Sequence, residues 1–375
     1  MQQRILVTGG TGMIGRGLVG CILRSSDAEV YVLLHRAGVG RTPEDLLSRV
    51  FGVEADPRYR SRLHLLTGDM TKPSLDLPPA VQDRLGRELT HILHSAATTR
   101  FDLPLEEARR SNVGGTAHVL ELARRCRQLH ALGFISTAYV AGRRTGTVLE
   151  SEREHDAGFA NTYERSKYEA ESLVEAAGES FPASIYRLST ILGDSRTGIV
   201  SHFTAPHHAL RMMYLGLVSI LPGEPDFTVD LVPSDFASST VFRLFLKAFE
   251  PGQRLHITAP PDKSYTLREM LETSYSYLGA ADADWARRGY PLPSIASLDT
   301  FELFVRSAEQ ANNPVMQGVM RALSQFAPQL AYPKQFDRSE LLRLLPGYDA
   351  EVPDVRDYYG KVVQFCVRTK WGRNV

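Results

Sequence analysis

Tyr163-Glu164-Arg165-Ser166-Lys167 sets a phenol and an ammonium four residues apart. On a helix those two side chains share one face. A phenol can donate a proton to a carbonyl oxygen, and a nearby ammonium is expected to lower its pKa from about 10 toward working pH. Lys167 can also hold a ribose. Upstream, Thr137 closes the apolar phrase Ile135-Ser136-Thr137, where its hydroxyl can hydrogen-bond the same carbonyl oxygen. Thr137, Tyr163 and Lys167 are therefore the candidate catalytic groups, and the chemistry they suit is hydride transfer at a carbonyl.

Such chemistry needs a hydride carrier, and the N-terminus offers a place for one. Thr8-Gly9-Gly10-Thr11-Gly12-Met13-Ile14-Gly15 follows a short apolar run and precedes a helical pattern. The glycines permit a tight turn and close backbone approach to a pyrophosphate, and the helix N-terminus adds N–H donors and a positive dipole end. The second apolar run ends in His35-Arg36, where a site selecting NAD usually has an acid. A guanidinium there suits a 2′-phosphate, so NADPH/NADP+ is the expected cofactor, with Arg16 able to join Arg36. In Gly68-Asp69-Met70, Asp69 can accept from an adenine amino group.

The elements that must position these groups are legible as an alternation. Ile5–Val7, Val30–Leu34, Leu63–Leu66, Ile92–Leu93 and Leu132–Ile135 read as buried parallel strands. Helical patterns separate most of them, including Ala117–Gln128 and Tyr163–Ala177. The pattern predicts an α/β fold, a doubly wound parallel sheet, over residues 1–195. Residues 196–375 are expected to form a smaller, mostly helical substrate-binding region that returns strands to the sheet near 227–257. Ala205–Val218 reads as a helix over the substrate cleft.

Composition narrows the partners. Lys plus Arg equals Asp plus Glu at 43 each, which gives no electrostatic footprint for nucleic acid. Cys21, Cys126 and Cys366 are widely spaced and form no CxxC pair, so neither a disulfide scaffold nor a zinc site is expected. His202, His207 and His208 lack a nearby carboxylate or thiolate, and no metal is expected. No secretory leader precedes the first strand and no apolar run reaches about 18 residues. A cytoplasmic protein with reduced thiols is the expectation; the oligomeric state is not legible.

Thr8–Gly15, His94-Ser95-Ala96-Ala97, Asn112-Val113-Gly114-Gly115-Thr116, Thr137-Ala138-Tyr139-Val140 and Tyr163–Lys167 stand in the order of the extended short-chain dehydrogenase/reductases, which this chain resembles. The resemblance implies a Rossmann-like fold, a Thr137/Tyr163/Lys167 triad and cofactor contacts from Ser95, Ala96, Ala97 and Met70. It also implies that Asn112 shapes the helix beside the cofactor. Within the family, Ser136-Thr137-Ala138-Tyr139-Val140, Tyr186–Gly198 and Val232-Pro233-Ser234-Asp235-Phe236 resemble the fatty acyl-CoA reductase and thioester-reductase branch. Leu188 and Ser234 depart from its usual Pro and Val. That branch implies reduction of an acyl thioester, carried by coenzyme A or a carrier protein, to an aldehyde or, with a second hydride, to an alcohol; the sequence does not show whether the second step happens. A ketone or aldehyde reductase of the steroid or flavonoid type, and a non-catalytic NADP-binding protein, are the alternatives. In the C-terminal region the apolar spacing of Phe301, Phe304, Met316 and Met320 reads first as helical core packing, with the lining of an acyl channel as the other reading.

Overall fold

The computed structural model describes residues 2–35, 42–54, 56–310, 314–324 and 327–373. Seven strands form its central sheet: β1 Arg4–Thr8, β2 Glu29–Leu34, β3 Leu63–Thr67, β4 His91–His94, β5 Ala131–Thr137, β6 Ala183–Leu188 and β7 Arg254–Ile257. Their order across the sheet is 3-2-1-4-5-6-7, and every pairing is parallel. A parallel sheet covered on both faces needs strands apolar on both faces, and these are: every residue of β5 and β6 is buried. This is the Rossmann-like, doubly wound sheet that the alternation predicts. The order reverses between β1 and β4, and ligands of such sheets bind outside the carboxyl ends of strands at that reversal.

Helix α1, Met13–Ser25, buries Ile14, Leu18, Val19 and Ile22 against one face of the sheet. Helix α2, Gly115–Arg125, covers the other face through Val119, Leu120 and Leu122. It continues from Leu105–Arg109 through a π-helical turn, Arg110–Gly114. Helix α3, Thr162–Ala177, starts at Asn161, whose side chain accepts from the Glu164 N–H. These elements lie where the sequence places them, within a few residues at the ends.

Beyond residue 195 the chain contributes to two cores. Helix α4, Ala205–Tyr214, is followed by helix α5, Ser234–Lys247, which packs on α1. The approach is close: a Cβ on Gly17 would stand 2.3 Å from the Ser238 hydroxyl. Ala237, Val241 and Phe245 of α5, Leu255 and Ile257 of β7, and Leu341 and Tyr348 join the core under the sheet. A second core gathers Leu210, Met213, Leu221, Leu267, Leu271, Phe301 and Tyr358 from the rest of the region, which is mostly helical.

Candidate active site

The glycine loop turns at the end of β1. Gly9 has φ of 67°, a left-handed conformation that favours glycine, and the Gly12 N–H donates to its carbonyl at 2.9 Å. A Cβ on Gly9 would lie 2.6 Å from the Ala96 nitrogen, and one on Gly15 would lie 2.0 Å from the Gly9 oxygen. Glycine is thus demanded by the crossing of the β1 and β4 ends and by the first turn of α1. Gly12 caps α1, and no acidic residue stands in its first turn to compete for an anion. Gly12, Met13 and Ile14 border a cavity of about 370 Å³. This loop fits a dinucleotide pyrophosphate.

Behind it, Thr8 and Asn112 act on the surrounding backbone. Thr8 Oγ1 pairs with His94 Nδ1 at 2.7 Å and accepts from the Ala96 N–H at 3.3 Å. His94 Nε2 meets Thr116 Oγ1 at 3.0 Å, and Thr116 donates to the Asn112 carbonyl at 2.6 Å. Burial pushes the His94 pKa down to about 3, and Lys167 adds to the shift. Asn112 sits in the π-helical turn. Its side chain donates to the Thr98 carbonyl and to Ser166 Oγ, and accepts from the Thr98 N–H at 2.9 Å. It ties the segment after β4 to the helix carrying Tyr163 and Lys167.

The remaining cofactor candidates are placed as follows. Ser95 and Ala97 border the cavity. Arg16 donates to the carbonyls of Val50 at 2.7 Å and Arg49 at 2.9 Å. Asp69 Oδ1 accepts from Thr71 N and Oγ1, and its Oδ2 lies 3.8 Å from His35 Nε2. Met70 packs on Gly115, where a Cβ would stand 2.6 Å from the methionine methyl. Arg36 lies outside the described residues.

Thr137, Tyr163 and Lys167 all face the same cavity. Thr137 Oγ1 accepts from the Tyr139 N–H at 3.3 Å, and the Tyr163 ring packs against Phe101 with centroids 5.6 Å apart. The lowered phenol expected from the Tyr/Lys spacing is not what the fold produces. Burial raises the Tyr163 pKa above its ordinary value, and only the Thr137 hydroxyl pulls it back. Lys167 instead donates to the Ile135 carbonyl at 2.8 Å, with its ammonium 3.8 Å from the Phe134 ring centroid. Burial lowers the Lys167 pKa to about 7, against an upward pull from Glu171.

Ser136, which sequence reasoning passed over, also borders the cavity, and its buried Oγ has no hydrogen-bond partner. A strand-end hydroxyl beside Thr137 was the available signal. Gln329 reaches the cavity from the C-terminal region, and nothing local in the sequence marks it. Ala205 and Pro206 of α4 close one side, in keeping with a helix over the cleft. Phe301, Phe304, Met316 and Met320 do not border it. Phe301 and Met320 are buried in the second core, Phe304 packs against that core, and Met316 is exposed. The helical spacing of Phe301, Phe304 and Met320 records core packing rather than a channel. His207 forms the capping box of α4 with Thr204.

Two of the branch-specific phrases meet in space. Ser195 N and Oγ donate to the Asp235 carboxylate at 2.9 and 2.7 Å, joining Tyr186–Gly198 to Val232–Phe236.

A family model described as male sterility protein matches residues 7–241. Fatty acyl-CoA reductase wat of Drosophila melanogaster is 26% identical over 318 residues, covering 74% of this chain and 61% of that protein. A non-canonical nonribosomal peptide synthetase of Aspergillus campestris is 29% identical over 295 residues, 72% of this chain but 27% of that protein. The chain thus spans about three fifths of the fly reductase and about a quarter of the fungal synthetase. Among solved structures, the terminal R domain from the myxalamid PKS-NRPS biosynthetic pathway superposes with a TM-score of 0.77 at 24% identity, covering 99% of this chain and 92% of that one. No helix among the described residues is long and apolar enough to cross a membrane.

Proposed function

This chain belongs to the male sterility protein family, and on that premise we propose that it is an NADPH-dependent reductase of an acyl thioester. The observation that carries the reading is a single cavity with the glycine loop at one end and Thr137, Tyr163 and Lys167 in its wall. The thioester substrate is supported by the relatives named as fatty acyl-CoA reductases and as a nonribosomal peptide synthetase, and by the branch-like phrases joined at Ser195 and Asp235. Coenzyme A or a carrier protein brings the acyl group.

When bound, the dinucleotide supplies a hydride to the thioester carbonyl carbon. Thr137 and Tyr163 donate hydrogen bonds to the carbonyl oxygen, which takes negative charge as the carbon becomes tetrahedral. Both residues already stand in the wall of one cavity, so little reorganisation is needed as charge develops. The tetrahedral adduct re-forms its carbonyl, the C–S bond breaks, and the sulfur leaves with the bonding pair and takes a proton. One thioester, one hydride and one proton give one aldehyde and one thiol. Ser136 supplies an unsatisfied hydroxyl for a polar group of the cofactor or substrate. Lys167 holds the ribose end of the same wall.

The test mixes protein, NADPH and acyl-coenzyme A or acyl-pantetheine, and follows thiol release together with loss of NADPH absorbance. One thiol per NADPH is expected for aldehyde formation, and one per two if the aldehyde is reduced further. NADPH oxidation by ketones or simple aldehydes with no thiol from any thioester overturns the reading in favour of an ordinary carbonyl reductase. NADPH binding with no turnover on any carbonyl overturns it in favour of a binding protein.

A further inference from the structure

The active-site cavity adjoins a second one of about 110 Å³, and the two share Tyr139, Thr190, Ala205, Pro206 and Gln329 as walls. Most of the second wall is apolar, including Met213, Leu221, Phe227, Val229 and Met270. It is not apolar throughout. Asp230, Lys334, Tyr139 and Gln329 also face it. Asp230 is half-buried and lines this cavity.

These polar groups are only partly engaged with one another. Tyr139 and Thr190 pair their hydroxyls at 2.9 Å. Lys334 donates to the Gly142 carbonyl at 2.9 Å, and Gln329 Nε2 donates to Glu164 at 2.7 Å. Asp230 Oδ1 accepts from the Ala259 N–H at 2.9 Å. Burial pushes the Asp230 carboxyl up to about 6, with Ser189, Ala259 and Arg338 holding it back. A plain alkyl chain pressed against this wall would strip water from a carboxylate and return no hydrogen bond, which is costly. A chain with a donor at the right carbon would satisfy it.

We propose that the second cavity is an acyl subsite specific for chains carrying a hydrogen-bond donor, a hydroxyl or an amide N–H, which Asp230 accepts. This rests on the thioester-reductase reading and adds the class of acyl group. Tyr139, on the turn after Thr137, is the hinge between the reacting carbonyl and the polar wall, since it borders both cavities.

The experiment uses octanoyl-pantetheine and its mono-hydroxylated analogues, with the hydroxyl moved one carbon at a time. For each, kcat/KM is read from thiol release, and Kd by calorimetry without NADPH. One hydroxyl position is expected to be preferred over the plain chain by about tenfold in both readouts. Asp230→Asn keeps an oxygen for the Ala259 N–H but removes the charge, and should shrink that preference severalfold. Equal values for all positions in the wild-type protein overturn the inference, with no variant needed, and so does a preference that Asp230→Asn leaves intact. Absence of thiol from every thioester would defeat the reductase reading, while the calorimetric preference would still decide this one.

Discussion

Arg187 and Glu171 form an ion pair with no solvent contact worth counting: Nη2 stands 2.8 Å from Oε2, and the two side chains are 1% and 0% exposed. Arg187 Nε adds bonds to both carboxylate oxygens, and its Nη1 reaches the Glu152 carbonyl. The pair couples two elements of the site. Glu171 is one turn along α3 from Lys167, and Arg187 is on β6, beside the strand that ends in Thr137.

Glu171→Gln is expected to leave Arg187 buried and uncompensated, at a cost of about 3–5 kcal/mol in urea unfolding. It also removes the negative charge that raises the Lys167 pKa, which should then fall below about 7. Arg187→Gln should destabilise similarly but move Lys167 the opposite way, because an unshared carboxylate attracts its proton. NMR titration of the Lys167 side chain separates the two cases. Shifts of the same sign in both variants would refute the coupling.

Tyr163→Phe is expected to retain cofactor affinity and lose most turnover, about a hundredfold or more, because its hydroxyl acts on the carbonyl oxygen as charge develops. Lys167→Ala should weaken both. Stopped-flow binding and steady-state rates read the two effects apart. Thioester reduction expels a thiol rather than retaining an alkoxide, so its first step should suffer less from Tyr163→Phe than aldehyde reduction does. Identical losses on both substrates would contradict that difference.

The parts legible in the sequence are the local ones. β1 to β5, α3 and the glycine loop follow from apolar runs, helical spacing and glycine placement, each decided within about 15 residues. The Tyr163–Lys167 face follows from helix geometry. What the phenol does next depends on neighbours from elsewhere: Phe101 covers it, the Ile135 carbonyl takes the Lys167 ammonium, and burial then sets both pKa values. The second cavity was hidden for the same reason, since Tyr139, Asp230, Gln329 and Lys334 converge from positions nearly two hundred residues apart. Asp230 left one trace, an acid inside the apolar stretch Phe227–Val232. Phe301 and Met320 follow the core-packing reading and not the channel, but spacing alone could not decide, because an apolar helix face reads alike whether it meets a ligand or a core.

Stability should hold in mild acid and fall steeply below about pH 4.5. Burial lowers His94 and His256 to about 3 and His91 and His207 to about 4, against an ordinary value near 6.5. Each is neutral when folded and gains a proton on unfolding, so its contribution is intact above about 6.5 and is lost as pH falls toward 3–4. Glu150 and Glu164, raised to about 7, and Asp230, raised to about 6, work the other way. Their contribution is complete below their ordinary values near 4 and is lost as pH rises through 6–7. The two sets oppose each other from about 6.5 to 4.5; below that the histidines are joined by carboxylates held below their ordinary range, such as Asp102, Glu152, Glu169 and Asp282, whose contribution is lost as they protonate. Melting temperature should therefore change little from pH 6.5 to 5 and drop sharply below 4.5. A melting temperature still rising at pH 4 would contradict the neutral, buried state of these histidines.

Cofactor choice is expected to turn on Arg36, which in the sequence follows the last residue of β2 by two positions, where an acid would hold ribose hydroxyls in an NAD site. A guanidinium-to-phosphate contact is charge-assisted and contributes about 1.5–3 kcal/mol, or roughly tenfold to a hundredfold in affinity. NADPH should bind more tightly than NADH by that factor. Arg16 is already committed to the Arg49 and Val50 carbonyls, so Arg36 is expected to carry most of the discrimination. Arg36→Ala should bring the two Kd values within about threefold by weakening NADPH binding and leaving NADH nearly unchanged. The preference should also shrink with added salt, because mobile ions weaken the attraction of a cationic side chain for the extra phosphate. Fluorescence titration of both dinucleotides at two ionic strengths measures all of this. Equal affinity of the wild-type protein for NADPH and NADH, or a preference that survives Arg36→Ala, would place the selecting group elsewhere.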